Sequence, residues 1–312
     1  MPLVSIGLPV YNGARWLDEA IQSILSQTFR DLELIICDNA STDNTQAICE
    51  RWARLDTRVR YYRNETNIGL MPNHNLAFSY ARGEFFQWFA YDDQHHPESI
   101  EKRAALLQQR PDIVLVYTAA VGIDADGSKS SPSSSNFDLD HDRVSDRFSM
   151  LIQNIPASEA VIYGLIRRDV LAKSLLLRNC LGADRCLLAE LALSGRMYKI
   201  PTVLFFRRLH KGNMVTSQEE PWRFRPEYSG KLIFPHWRVN KEHVRTILRS
   251  SLSVGTKIRL MLKVGDWMLR QKSILKSELG FALYYWRQRL QGKNPTLAPE
   301  EQQTKQDRHD GE

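Results

Sequence analysis

Two adjacent carboxylates, Asp92 and Asp93, follow an aromatic strand-like run, FFQWFA from Phe85, and precede a proline and a helical segment, PESIEKRAALLQQ. Acids delivered at the end of a strand suit a hard divalent cation such as Mg2+ or Mn2+, which takes carboxylate oxygens together with the oxygens of a substrate diphosphate. The same residues serve equally as a polar turn whose acids favour the N-terminus of the next helix. Asp38 and Asn39 stand after another apolar run, LELIIC, and Asp184 precedes a segment carrying Leu187, Leu188, Leu191 and Leu193. Arg208 and His210 close a further strand, KIPTVLFFRR. Taken singly, Asp184 reads as a helix cap and His210 as a loop histidine. They acquire chemistry only if the fold gathers them.

The elements that must do the gathering alternate. LVSIGLPV (3–10) reads as a buried strand ending at the turn residues Asn12 and Gly13, and ARWLDEAIQSILSQ as a helix with Leu17, Ile21, Ile24 and Leu25 on one face. Strand 32–37 is followed by a helix that Ser41, Thr42 or Asp43 can cap, then strand VRYY (59–62), helix PNHNLAFSYAR and the Phe85 strand. This βαβαβαβ order predicts a parallel, doubly wound sheet. Right-handed crossovers then place Asp38, Asn39, Asp92 and Asp93 on one rim, where such sheets bind ligands. Beyond it come a strand from Ile113 to Val121, a low-complexity loop (128–136), a helix over 142–154 and a strand over 159–166.

With 312 residues the chain can bury a large core. Its net charge of +6 suits anionic partners of several kinds. The four cysteines form no CxxC pair, which predicts reduced core thiols and a cytoplasmic protein. No basic, apolar leader opens the chain, and no apolar run reaches the roughly 18 residues of a membrane span. From Ser251 to Lys293 nine basic residues face Asp266 and Glu278 along two stretches of helical spacing. These helices either lie on an anionic membrane surface, making the protein peripheral on its inner face, or pack on the catalytic body or another subunit of a homo-oligomer. The basic excess sits in this tail without a base-reading motif, so no nucleic-acid partner is expected.

Several motifs in order resemble glycosyltransferase family 2: PVYN (9–12), CDNASTDNT, NIGL followed by Asn75, GEFF, the Asp92-Asp93 pair, Gly182-Ala183-Asp184 and RRLHKGN. The resemblance covers roughly residues 1–215. It implies a GT-A fold, a Rossmann-like, mostly parallel sheet flanked by helices, as a catalytic domain over 1–215. A connecting segment (216–250), a basic amphipathic helical appendix (251–293) and a disordered tail (294–312) would follow. By resemblance, Pro9, Tyr11 and Asn12 form the first nucleotide-contacting loop, and Asp38, with Asn39 beside it, accepts from the base, the N3–H of uracil. Asn67, Gly69 and Asn75 line the nucleotide-sugar site. Asp92 matches the metal ligand, Asp93 the acid beside it, Asp184 the catalytic base, and Arg208 and His210 a motif near the diphosphate. The sequence departs from the fullest family pattern at Ala90, where a first Asp often stands, and at Ala183, where a Glu does. The implied activity is inverting transfer from a nucleotide-diphosphate sugar, a UDP-sugar, to a saccharide or lipid-linked acceptor hydroxyl, with Mn or Mg, in polysaccharide or glycolipid biosynthesis. The alternative is an inactive nucleotide-sugar-binding or scaffolding protein of the same fold.

Overall fold

The computed structural model describes residues 1–128, 139–153, 161–178, 180, 182–210 and 234–291. The low-complexity loop (apart from Ser128) and the tail over 294–312 fall outside these residues.

The first half follows the alternation read from the sequence: β1 (Val4–Val10), α1 (Leu17–Leu25), β2 (Leu32–Asp38), α2 (Thr45–Leu55), β3 (Val59–Arg63), α3 (Leu70–Ser79) and β4 (Phe85–Trp88). β5 (Gln94–His95), α4 (Ser99–Gln109), β6 (Ile113–Ile123) and α5 (Val144–Gln153) follow. A single 3-10 turn (Val161–Tyr163), β7 (Leu165–Arg167), α6 (Arg168–Lys173), α7 (Ala183–Ser194) and β8 (Arg196–Arg208) complete the sheet region. Three helices end the chain: α8 (Pro235–Arg249), α9 (Val254–Arg270) and α10 (Lys272–Leu290).

The strands form one eight-stranded sheet in the order β3-β2-β1-β4-β7-β6-β8-β5. β3, β2, β1 and β4 are mutually parallel, β7 runs antiparallel between β4 and β6, β8 is parallel to β6, and β5 closes the edge antiparallel to β8. Every residue of β1 and β2 is buried, as central parallel strands covered on both faces require. Glu33, the one acid inside this pair apart from Asp38 at the strand end, is kept there by Ser5 Oγ at 2.7 Å, Arg60 at 2.7 Å and the Arg82 N–H at 2.9 Å. Its carboxyl is held below the ordinary carboxylate value, burial raising it and these donors more than offsetting that. At Gly83 a Cβ would meet the Leu3 carbonyl at 2.8 Å and the Ser5 nitrogen at 2.8 Å, so only glycine lets the chain enter β4 against β1.

Two expectations change. The strand over 159–166 is a 3-10 turn followed by three residues of β7, with 159 and 160 outside the described residues. The segment taken as a connector, 216–250, contains α8, whose buried residues include the polar Asn240, Glu242, His243 and Thr246. Arg178 ties it down, bonding Glu190 of α7, Glu242 at 3.0 Å and Thr246 at 3.2 Å. Phe148, Leu193, Ile247, Leu260 and Val264 form a core shared by α5, α7, α8 and α9. Glu278 of α10 accepts the His236 N–H at 3.0 Å, satisfying an otherwise orphaned donor at the start of α8.

Candidate active site

At the carboxyl ends of β1 and β2 the ladder continues into the loops, with Asn39 N–H on the Val10 carbonyl at 2.8 Å and Asn64 N–H on the Asp38 carbonyl at 2.9 Å. Pro9 lies in buried β1, Tyr11 is exposed, and Asn12 adopts φ 52°, a left-handed backbone that Asn tolerates. Asn12 Oδ1 accepts the Thr42 N–H at 2.8 Å, while Gly13 and Ala14 donate to Thr45 Oγ1 at 2.9 Å and Asp43 Oδ2 at 3.1 Å. The first loop and the STDNT loop are thereby laced together.

Asp38 is fully buried. Its Oδ1 accepts the Ser41 N–H at 2.8 Å, and its Oδ2 accepts Tyr61 Oη–H at 2.9 Å and a bond from Arg63. Arg63, whose side chain keeps 33% exposure, thus covers this carboxylate together with Tyr61. Asn39 is equally engaged: its amide donates to Asn67 Oδ1 at 2.8 Å and its Oδ1 accepts the Ile68 N–H at 2.9 Å, shaping the turn into Gly69. Gly69 itself, at φ 91°, starts α3. Asn75 makes a two-way bridge to the Leu177 backbone, donating at 2.8 Å and accepting at 3.1 Å. Asn39, Asn75 and the Asn67 carbonyl oxygen thus bond to the chain itself and fix the loops in which they lie.

The second cluster lies beyond β4. Asp92 Oδ2 is 2.9 Å from His210 Nε2, and Asp93 Oδ1 accepts the Arg208 N–H at 2.9 Å. Arg208, buried at the end of β8, donates from Nε to the Asp92 carbonyl at 2.9 Å, from Nη1 to the carbonyls of Asp124 and Ala125, and from Nη2 to Glu19 at 2.6 Å. Trp16 lies under this group, its ring centroid 4.2 Å from that of His210, with the Arg208 guanidinium over it at 5.7 Å. Burial, then the charge of Asp92, pushes the Asp93 carboxyl well above the ordinary value, and the Arg208 N–H opposes this.

Asp184 sits half-buried in the first turn of α7, after Gly182 at φ 66°. Tyr163 links it to the other acids. Burial raises the Tyr163 phenol most, and the charges of Asp93, Asp92 and, more weakly, Asp184 raise it further against Arg207.

Asp92 fits a divalent cation. It and Asp93 are nearly buried neighbours, and neither Asp92 Oδ1 nor Asp93 Oδ2 carries a hydrogen bond among the described residues. Among these residues no group of three or more His, Cys, Asp or Glu is placed to hold a metal, so a cation on Asp92 would draw its remaining oxygens from substrate and water. Sequence reasoning missed Trp16, Glu19, Arg63 and Tyr163. Arg63 had a usable signal, since Tyr61 and Arg63 alternate onto one face of β3 and Arg63 pairs with Asp38 in register. Tyr163 had none.

Comparisons with known proteins bear on the family and the fold. EpsE of Bacillus subtilis (strain 168), named for an expected glycosyltransferase activity, is 36% identical over 127 residues, 40% of this chain and 46% of EpsE. Chondroitin synthase of Pasteurella multocida (strain Pm70) is 34% identical over 128 residues, 41% of this chain and 13% of that protein. The match thus spans less than half the length of either relative. Among solved structures, S. aureus TarS 1-349 in complex with UDP-GlcNAc superposes with TM-score 0.64 at 18% identity, covering 86% of this chain and 73% of that one. Mannosyltransferase PcManGT from Pyrobaculum calidifontis, in complex with GDP-Man and Mn2+, gives TM-score 0.57 at 17% identity, covering 89% and 73%. Both share the fold. Residues 5–168, just over half the chain, match glycosyl transferase family 2, and the chain belongs to that family.

Proposed function

We propose that this protein moves a sugar from a nucleotide-diphosphate sugar, a UDP-sugar, to an acceptor hydroxyl in polysaccharide or glycolipid assembly, with inversion at the anomeric carbon. The observation that supports it most is the pairing of Asp92 with His210 at 2.9 Å and of Asp93 with the Arg208 N–H at 2.9 Å, in a chain whose residues 5–168 match glycosyl transferase family 2.

In this reading the bond from the anomeric carbon to the diphosphate oxygen breaks through an oxocarbenium-like state. The acceptor oxygen attacks the face opposite the leaving group, and Asp184 takes its proton. One displacement turns an α-linked donor into a β-linked product. Arg208 positions the acids through the Asp92 carbonyl and the Asp93 carboxylate, and His210, beside Asp92, can donate to a diphosphate oxygen. A divalent cation bound at Asp92 would supply positive charge against the leaving diphosphate. Asp38 and Asn39 set the shape of the nucleotide side through the loops they hold. The complexes of TarS with UDP-GlcNAc and of PcManGT with GDP-Man and Mn2+ support a nucleotide-sugar donor and a cation.

A panel of UDP- and GDP-sugars with Mn2+, read as nucleotide release, tests the proposal alongside calorimetric titration of UDP. Release from a UDP-sugar that depends on Asp184 is expected. Tight UDP binding with no turnover of any donor would instead identify a nucleotide-sugar-binding module.

A further inference from the structure

Two rows of large apolar side chains on α9 and α10 face solvent. On α9, Val254, Ile258, Leu262 and Leu269 share one exposed side, whereas Leu260 and Val264 enter the core with α5, α7 and α8. On α10, Leu279, Leu283, Trp286 and Leu290 follow the i, i+4, i+7, i+11 spacing of a single face and are exposed, while Leu275, Glu278 and Ala282 are buried. Leu262, Leu269 and Leu283 are each at least 70% exposed. Each helix therefore carries one apolar face more than its packing uses. A lone exposed leucine is ordinary, but an aligned row marks a surface with a partner.

Charge decides which partner. Residues 234–291 hold twelve Lys and Arg against three acids, a net +9, so with the whole chain at +6 the remainder carries −3. Each of the three acids is already engaged: Glu242 by Arg178 and Arg245, Asp266 by Arg270 and Glu278 by His236. Helical geometry sets Lys276 and Arg287 beside the α10 row, and Arg259 and Lys263 to one side of the α9 row. A second copy docked here would set these three basic helices, +9 in all, against the same three of its partner. Of the chain's own segments, the one that follows α10, residues 292–312, offers one large apolar side chain, Leu297. An anionic bilayer answers both features, taking the apolar rows and Trp286 into its interface and the bases against its headgroups. Among the described residues no helix is long and apolar enough to cross a membrane, so the contact is in the surface plane.

We propose that α9 and α10 dock the protein on an anionic lipid surface. The inference stands independently of the reaction. The full-length protein is sedimented with vesicles of phosphatidylcholine alone and with about a quarter phosphatidylserine, at ~0.1 M and ~0.5 M salt. Recovery at least about tenfold higher on the anionic vesicles, falling at high salt, is expected. Two double variants, Leu279→Ser with Leu283→Ser and Lys276→Glu with Arg287→Glu, should each lower that recovery about tenfold. Their thermal melting and UDP affinity should stay unchanged, showing that the fold persists. Equal recovery on both vesicle types, no recovery on either, or insensitivity to both variants would overturn the proposal. So would a concentration-dependent dimer in solution that the Leu279→Ser, Leu283→Ser variant dissolves, which would make a second copy the occupant.

Discussion

At the carboxyl ends of β1, β2 and β4 the buried groups are polar: Asp38, Asn39, Asp92, Asp93 and, from β8, Arg208. On α9 and α10 the exposed groups are apolar, among them Leu262, Leu283 and Trp286. Both regions depart from the usual distribution, in opposite directions, and each departure is locally organised. At this rim Asp38, Asp92, Asp93 and Arg208 are bonded by the chain, which holds the carboxylates in place. On the helices the apolar rows stay exposed among the described residues. A rigid, self-satisfied rim suits chemistry on a small substrate, whereas an unsatisfied face suits contact with an extended surface.

The largest expected effect lies in the cleft. Asp184→Asn should lower turnover about 10³-fold with UDP affinity unchanged, measured as nucleotide release and by calorimetry. Full activity in that variant would remove the base and with it the functional side of the contrast. Arg208→Met strips the donors from the carbonyls of Asp92, Asp124 and Ala125 and should destabilise the fold by about 3 kcal/mol, read from the urea midpoint. Asn75→Ala, which opens the bridge to Leu177, should cost about 2 kcal/mol in the same assay.

A pH dependence of stability is expected from His243 on α8. Burial, then the positive charges of Arg178 and Arg185, lowers the His243 imidazole to about 3, and its Nδ1 finds no partner among the described residues. The folded protein keeps His243 neutral while the unfolded chain protonates it near 6.5, so stability is full above about pH 6.5 and falls as pH drops toward 3. At pH 5 this one group should remove about 2 kcal/mol, and His243→Phe should flatten that part of a melting-temperature profile. Smallest of all, Leu283→Ser should change stability by less than about 0.5 kcal/mol, because that side chain is 73% exposed. A large loss of stability there would show that the α10 row is structural, and the contrast would collapse.

The first half of the fold was legible because a strand buried on both faces reads as a continuous apolar run. LVSIGLPV and LELIIC announced β1 and β2 to within a residue or so. α8 was harder to see because it is polar overall: it has a helical period through Trp237, Val244 and Ile247, but its buried side also carries Asn240, Glu242, His243 and Thr246, so no continuous apolar stripe announces it. β5 and β7, two and three residues long, are too short to have a period and exist only through pairing with β8 and with β4 and β6. In the cleft, the strand-end rule foretold that the acids after β2 and β4 share a rim. It did not foretell that Arg63 and Tyr61 cover Asp38, or that Glu19 and Trp16 brace Arg208 and His210.

By itself the sequence determined the alternation of elements, the rim on which the acids after β2 and β4 lie, and the family, since these depend on local periodicity and on motifs in order. Only the tertiary structure decided how Arg208 and His210 reach Asp92 and Asp93 across more than a hundred residues, which asparagines spend their amides on the chain, and which apolar rows on α9 and α10 stay uncovered. Burial and pairing are properties of neighbours in space, and a periodic pattern tells which side of a helix is apolar without telling whether anything lies against it.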